Sequence, residues 1–155
     1  MQTRAVHALN ALALVWAGML VGVSFLATPA KFLAPSLTLP VALDVGRQTF
    51  GLFSIVEILG ALALLAVTIL SRPGRLILLF VLLIEVLVAL EFIWLLPVLD
   101  ARVEIILQGG TPEASDLHRL YIVFETAKLL LLGAIAWRCH AVPVGLTIGI
   151  PADVD

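Results

Sequence analysis

Cysteine is almost absent from this sequence, and charge is scarce. The lone Cys139 excludes an internal disulfide framework and a zinc site built on cysteines. Charged side chains make up 13% of the chain, against about 25% in an average soluble domain. Lys and Arg total 9 against 11 Asp and Glu, a formal charge of -2. No basic tail or patch is present to favour nucleic acid or an anionic surface. A Gly-rich phosphate loop, a Gly-x-Ser-x-Gly elbow and a Glu-x-x-His di-iron motif are all missing. Ser115, Asp116 and His118 lie too close in sequence to suggest a catalytic triad. What fills the chain instead is hydrocarbon: 62% of its 155 residues are hydrophobic and the mean hydropathy is +1.16. These values exclude a disordered chain and an ordinary cytosolic enzyme, and leave an integral membrane protein of one domain.

A bilayer core about 30 Å thick takes about 20 mainly apolar residues in a helix. Four stretches qualify: 7–28, 48–70, 76–99 and 117–137. The first has no Asp, Glu, Lys or Arg between Arg4 and Lys31. It is too long for the apolar region of a signal peptide, and Pro29 sits badly beside a cleavage site, so it reads as a retained helix. Asp44 is a candidate N-cap for the second helix. The turn Ser71-Arg72-Pro73-Gly74-Arg75 makes helices two and three an antiparallel hairpin. Pro97 should kink helix three, with 98–108 as a helical extension at the interface. The connection 29–45 is proline-rich yet apolar and should lie on the bundle mouth. After the break at Gly109-Gly110, Thr111-Pro112-Glu113 reads as N-cap, first-turn proline and first-turn acid. The expected fold is all-α: a four-helix antiparallel transmembrane bundle over 1–138, with helices at about 6–28, 45–70, 75–108 and 112–138. Residues 139–155 lack helical periodicity and are expected to form a loosely ordered tail.

The intramembrane charges carry the information. From Leu120 to Trp137, nine Leu, Ile, Val or Phe side chains favour insertion. They contribute about 4.5 kcal/mol, which Glu125 and Lys128 offset at about 2.5–3.5 kcal/mol each. Such a helix belongs inside a bundle with its polar stripe inward. Helical rise places Glu91 about 9 Å below Pro97, Glu125 about 10 Å and Lys128 about 15 Å below His118, Glu57 about 15 Å below Arg47, and Glu85 about 18 Å below Pro97. Four ionised glutamates with one lysine would leave three uncompensated charges in low dielectric, which is prohibitive. Some of them must be protonated, reach water or hold a cation.

Spacing refines the picture. His118, Tyr121 and Glu125 share one stripe of helix four. Lys128, three residues beyond Glu125, could pair with it. Glu85 and Glu91 lie about 120° apart around helix three, so Glu91 is assigned to the mouth and Glu85 to a deeper ion pair with Lys128. Gly18-x-x-x-Gly22 fits close helix approach. Trp16, Trp94 and Trp137 fit packing or interface roles, and Cys139-His140 reads as an inert interfacial pair.

The run Arg47-Gln48-Thr49-Phe50-Gly51-Leu52 resembles a segment of the transmembrane protein 205-like family, as do Gly18 and Phe25 in helix one and Leu117-His118-Arg119 at the start of helix four. That resemblance implies a small four-helix membrane protein; one family member is associated with resistance to platinum drugs and proposed to aid their export. Arg47, Thr49, Phe50, Gly51 and His118 carry over by position, whereas Tyr121 and Glu125 stand where the family has a small hydroxyl residue and an Asn. The pattern Gly18, Gly22, Phe25, Pro29 also resembles helix one of anthrone-oxygenase-like membrane proteins.

These readings converge on a polar pocket at the mouth lined by Arg47, Glu57, Glu91, His118, Tyr121 and Glu125. The leading expectation is transport or binding of a small cation or cationic solute, without a cofactor and with glutamates exchanging protons. The rival is a membrane oxidoreductase with iron, copper or manganese on His118 and Glu91, Glu125 or Glu57. A third reading is a non-catalytic assembly subunit. The expected surroundings are the lipid bilayer of a plasma or inner membrane and no nucleic acid, with a homo-dimer as the expected assembly. The basic residues of the 71–75 turn favour cytoplasmic termini.

Overall fold

Extended backbone at Thr38, followed by a proline in the first helical turn, starts a helix about two turns earlier than hydropathy indicates. In the computed structural model, which describes residues 2–140, four long helices follow one another. Helix α1 is α-helical over Gln2–Leu20, π-helical over Val21–Ala27, and ends with a turn over Thr28–Lys31. Helix α2 spans Leu39–Ser71. Helix α3 is α-helical over Arg75–Leu90, π-helical over Glu91–Leu95 and α-helical again over Leu96–Leu107. Helix α4 spans Leu117–His140. Consecutive helices pack as neighbours and α1 closes the ring against α4, a four-helix antiparallel bundle. The expected tail lies, from residue 141 onward, outside the described residues.

Local chemistry sets the ends. Arg72 is left-handed at φ 48° and its N–H bonds the Thr68 carbonyl, closing α2. Gly74, at φ 118°, opens α3. At the far end Gly110 N–H bonds the Ile105 carbonyl and Gly109 N–H bonds that of Ile106, with Gly109 at φ 81°. This paired pattern around a left-handed glycine is the Schellman stop, and a side chain at 109 would be strained.

Four expectations are corrected. Asp44 is not an N-cap: it lies inside α2 and pairs with Arg47 at 3.0 Å. The Thr111-Pro112-Glu113 run does not begin α4, which starts at Leu117; Arg102 instead donates to the Glu113 carbonyl and holds the run as a loop. The first connection shrinks to 32–38, because α1 reaches Lys31 and α2 starts at Leu39. The irregularity of α3 lies before Pro97 rather than at it. The proline ring crowds the carbonyl four residues back, at Ile93, and the π-helical turn over Glu91–Leu95 gives it room.

The bundle interior is a seam spaced in steps of three and four residues, alternating on all helices except between Phe53 and Ala61, where two steps of four follow one another. It runs through Leu9, Ala13, Trp16 and Leu20 on α1, and through Ile77, Val81, Ile84, Val88, Glu91 and Leu95 on α3. On α4 it runs through Tyr121, Glu125, Lys128, Leu132, Ile135 and Cys139. On α2 it passes Phe53, Glu57, Ala61, Leu64, Thr68 and Ser71. This spacing is that of helices crossing at a shallow angle with interlocking side chains. The apolar stretch fills the half of the bundle near the termini. Toward the other end the same seam turns polar, and four ionisable side chains occupy positions that leucine would otherwise fill.

Candidate functional site: a lysine enclosed by three glutamates

Three helices each contribute one carboxyl group at the same level. Glu57 from α2, Glu91 from α3 and Glu125 from α4 all meet the ammonium of Lys128, also on α4. Lys128 Nζ donates to Glu57 Oε1 at 2.6 Å, to Glu125 Oε1 at 2.8 Å, and to Glu91 Oε2. An ammonium has three N–H groups, and each is used on a different carboxylate. All four residues are at most 3% exposed. Lys128 and Glu125 reach the same point because they are three residues apart on the seam.

The outer shell comes from α1. Ser24 Oγ, inside the π-helical stretch, donates to Glu125 Oε2 at 2.8 Å. The Thr28 hydroxyl donates to the Val23 carbonyl at 2.8 Å and supports the widened turn that presents Ser24. The Trp16 indole lies beside Glu57, its buried N–H without a hydrogen-bond partner. Glu91 Oε1 is likewise buried and unpartnered. Glu91 opens the π-helical stretch of α3, so both π-helical segments border the cage. Fully ionised, three carboxylates and one ammonium would carry a net charge of -2 in a water-poor interior. Isolated buried charge costs several kcal/mol per ion even after relaxation. The excess must therefore be neutralised by protons or by a further cation.

Two cavities approach the cage from the mouth. One, of about 290 Å³, runs between α1 and α4 and is lined by Ser24, Phe25, Phe32, Phe50, Tyr121 and Glu125, among others. It touches Glu125 but not Glu57 or Glu91. The second, of about 240 Å³, lies toward the interface and contains Lys31, Arg47, Asp100 and Arg102. Thr28, Phe32, Phe50, His118 and Tyr121 line both, so the two share a wall. Tyr121 is buried and stacks edge-on against Phe50, with ring centroids 5.0 Å apart at 64°.

The six pocket residues read from the sequence thus separate into layers. Glu57, Glu91 and Glu125 are together. Tyr121 and His118 lie in the cavities above them. Arg47 stands at the rim, bonded to Asp44 at 3.0 Å and to Glu104 at 2.8 Å, and meets no cage carboxylate. The Glu85–Lys128 pair is a correction. Glu85 sits one position off the α3 seam that carries Ile84 and Glu91, and its Oε1 has no partner. Lys128 bonds Glu57, Glu91 and Glu125 instead. Sequence reading also missed Ser24 and Trp16. The three-and-four spacing of the seam picks out Trp16, Glu57, Glu91, Glu125 and Lys128; Ser24 has no comparable signal.

The three carboxylates have the spacing of a cation site, with one oxygen of each within 4.8 Å of the others. Lys128 Nζ sits among them, so a metal ion there would have to displace it. His118 is not in this set, so the His118, Glu91 and Glu125 metal grouping is not assembled. Gly18 and Gly22 face open space rather than a neighbouring helix, which corrects their reading as close-packing positions within the bundle.

No family model, no curated protein and no solved structure matches the chain. Four helices are long and apolar enough to cross a bilayer, as a multi-pass membrane protein requires.

Proposed function

We propose that the protein binds a small cation or cationic solute in the cavity between α1 and α4 and exchanges protons at the three-glutamate cage. The observation that carries this reading is the 290 Å³ cavity touching one carboxyl of a buried cluster whose acids outnumber its single ammonium. A cation entering beside Glu125 offsets negative charge that otherwise requires a proton, so solute and proton compete for the same deficit. Ser24 orients Glu125, and Lys128 ties its state to Glu57 and Glu91. The likeness of the Arg47 to Leu52 segment and of His118 to the transmembrane protein 205-like family is compatible with a transport role. We place the termini and the basic 71–75 turn on the cytoplasmic side of a plasma or inner membrane.

One observation favours a second reading, an assembly or purely structural role: every Lys128 donor is satisfied and no cage residue is more than 3% exposed. Reconstitution into liposomes loaded with a pH-sensitive dye separates the two. Proton movement above empty vesicles when cationic solutes are added, lost in Glu125→Gln, supports exchange. No flux under any imposed gradient, with the protein folded, leaves the structural reading.

A further inference from the structure

Resting on the cation-binding reading, we infer that the occupant of the α1–α4 cavity is an organic ammonium-type cation with apolar substituents, not an inorganic ion. Four aromatic side chains, Phe25, Phe32, Phe50 and Tyr121, line the cavity around a single carboxyl, Glu125. An inorganic cation needs several oxygens to replace its water. The cavity supplies few. They are one carboxyl, on Glu125, and the hydroxyls of Ser24, Thr28 and Tyr121, of which Ser24 and Thr28 are held in place by their bonds to Glu125 and to the Val23 carbonyl. An alkylated or aryl ammonium needs less: ring faces for its diffuse charge and hydrocarbon for its substituents.

The protein already shows this preference with its own side chain. The ammonium of Lys31 lies 5.1 Å from the ring centre of Phe32 and 5.6 Å from that of Phe50, two of the rings that line the cavity. Among the described residues Lys31 makes no salt bridge, so these rings are its partners. Gly46 opens the space for it: a Cβ at 46 would collide with Lys31 Nζ. Lys31, which lines the second cavity, is thus a tethered cation on the aromatic wall that the two cavities share. The intervening wall is continuous, since Phe50 stacks on Tyr121, which lies one helical turn from Glu125. The cavity rim includes Phe25 and Ile122, both exposed on the outer surface of the bundle, so a lipophilic cation has an entry from the bilayer side.

The test is calorimetric titration of the full-length protein in detergent with benzyltrimethylammonium, its uncharged carbon analogue, and potassium. Saturable binding of the ammonium alone is expected. Phe50→Leu should weaken it by about 3- to 30-fold, the range of a cation–ring contact. Glu125→Gln should weaken it further. Lys31→Met frees the ring faces at a partly exposed helix end, where folding is not at stake, and should tighten binding by about threefold or more. Unchanged or weaker binding in Lys31→Met would overturn the inference, as would equal binding of the uncharged analogue. Potassium binding without ammonium binding also overturns it, yet leaves the cation-binding reading intact. Binding of none of the three defeats both.

Discussion

Glu85 and Glu91 show how much one position matters. Both are acids in the same apolar helix, six residues apart. Glu91 lies on the seam and meets Lys128; Glu85 lies beside it, with a buried oxygen that has no partner. Leaving a polar group buried and unpaired costs about 1–3 kcal/mol. Glu85→Leu should therefore raise stability by about that amount, measured by detergent-induced unfolding, and leave the liposome flux of the wild type unchanged. Loss of flux in this variant would place a working acid outside the cage. Ser24→Ala removes the donor to Glu125. It should lower stability by only about 1 kcal/mol, the scale of interhelical hydrogen bonds in membranes, while altering the pH dependence of flux. An unchanged pH profile would make Ser24 a packing residue.

The helices were largely legible in the sequence; their ends and faces were not. Hydropathy located all four spans, because a bilayer-length apolar run has few other uses. Cap signatures misled twice. Asp44 and Thr111-Pro112-Glu113 have suitable cap chemistry, but Pro40 starts α2 earlier and Asp116 precedes the real start of α4, its carbonyl accepting from Leu120 N–H. The excess of acids was readable from charge alone. Of the partners of Lys128, Glu125 was legible from its spacing of three residues on the same helix; Glu57 and Glu91 were not, since rise along a helix gives depth but not the direction a neighbouring helix faces, and the pairing with Glu85 failed for that reason. The three-and-four alternation supplies the missing angle. The π-helical turns left no sequence signal except the proline two residues past the end of each, Pro29 after Val21–Ala27 and Pro97 after Glu91–Leu95. At this scale the left-handed Gly109 gives a test: Gly109→Ala should cost about 1 kcal/mol of stability in the same unfolding assay, whereas Gly110→Ala, without a positive φ at that position, should be governed instead by its contact with Ile105.

At the scale of the whole molecule, an apolar half near the termini anchors a polar half near the mouth. The exposed leucines, isoleucines and phenylalanines around the outside suit lipid, and the basic residues Arg72 and Arg75 mark the short-turn end. Single cysteines at Pro73 and Gly110, in a Cys139→Ala background, should be labelled by an impermeant reagent from opposite sides of intact cells or vesicles. Labelling of both from one side would break the four-span topology. The central claim is the meeting of acids from three helices around one lysine, and a double-mutant cycle between Lys128→Met and Glu91→Gln tests it most directly. Contacting residues in one network couple by about 0.5–3 kcal/mol. The expected result is coupling of at least about 1 kcal/mol, with Glu91→Gln more favourable to stability once the ammonium is gone, because it then relieves like-charge repulsion. Additive effects of the two substitutions would contradict the cage.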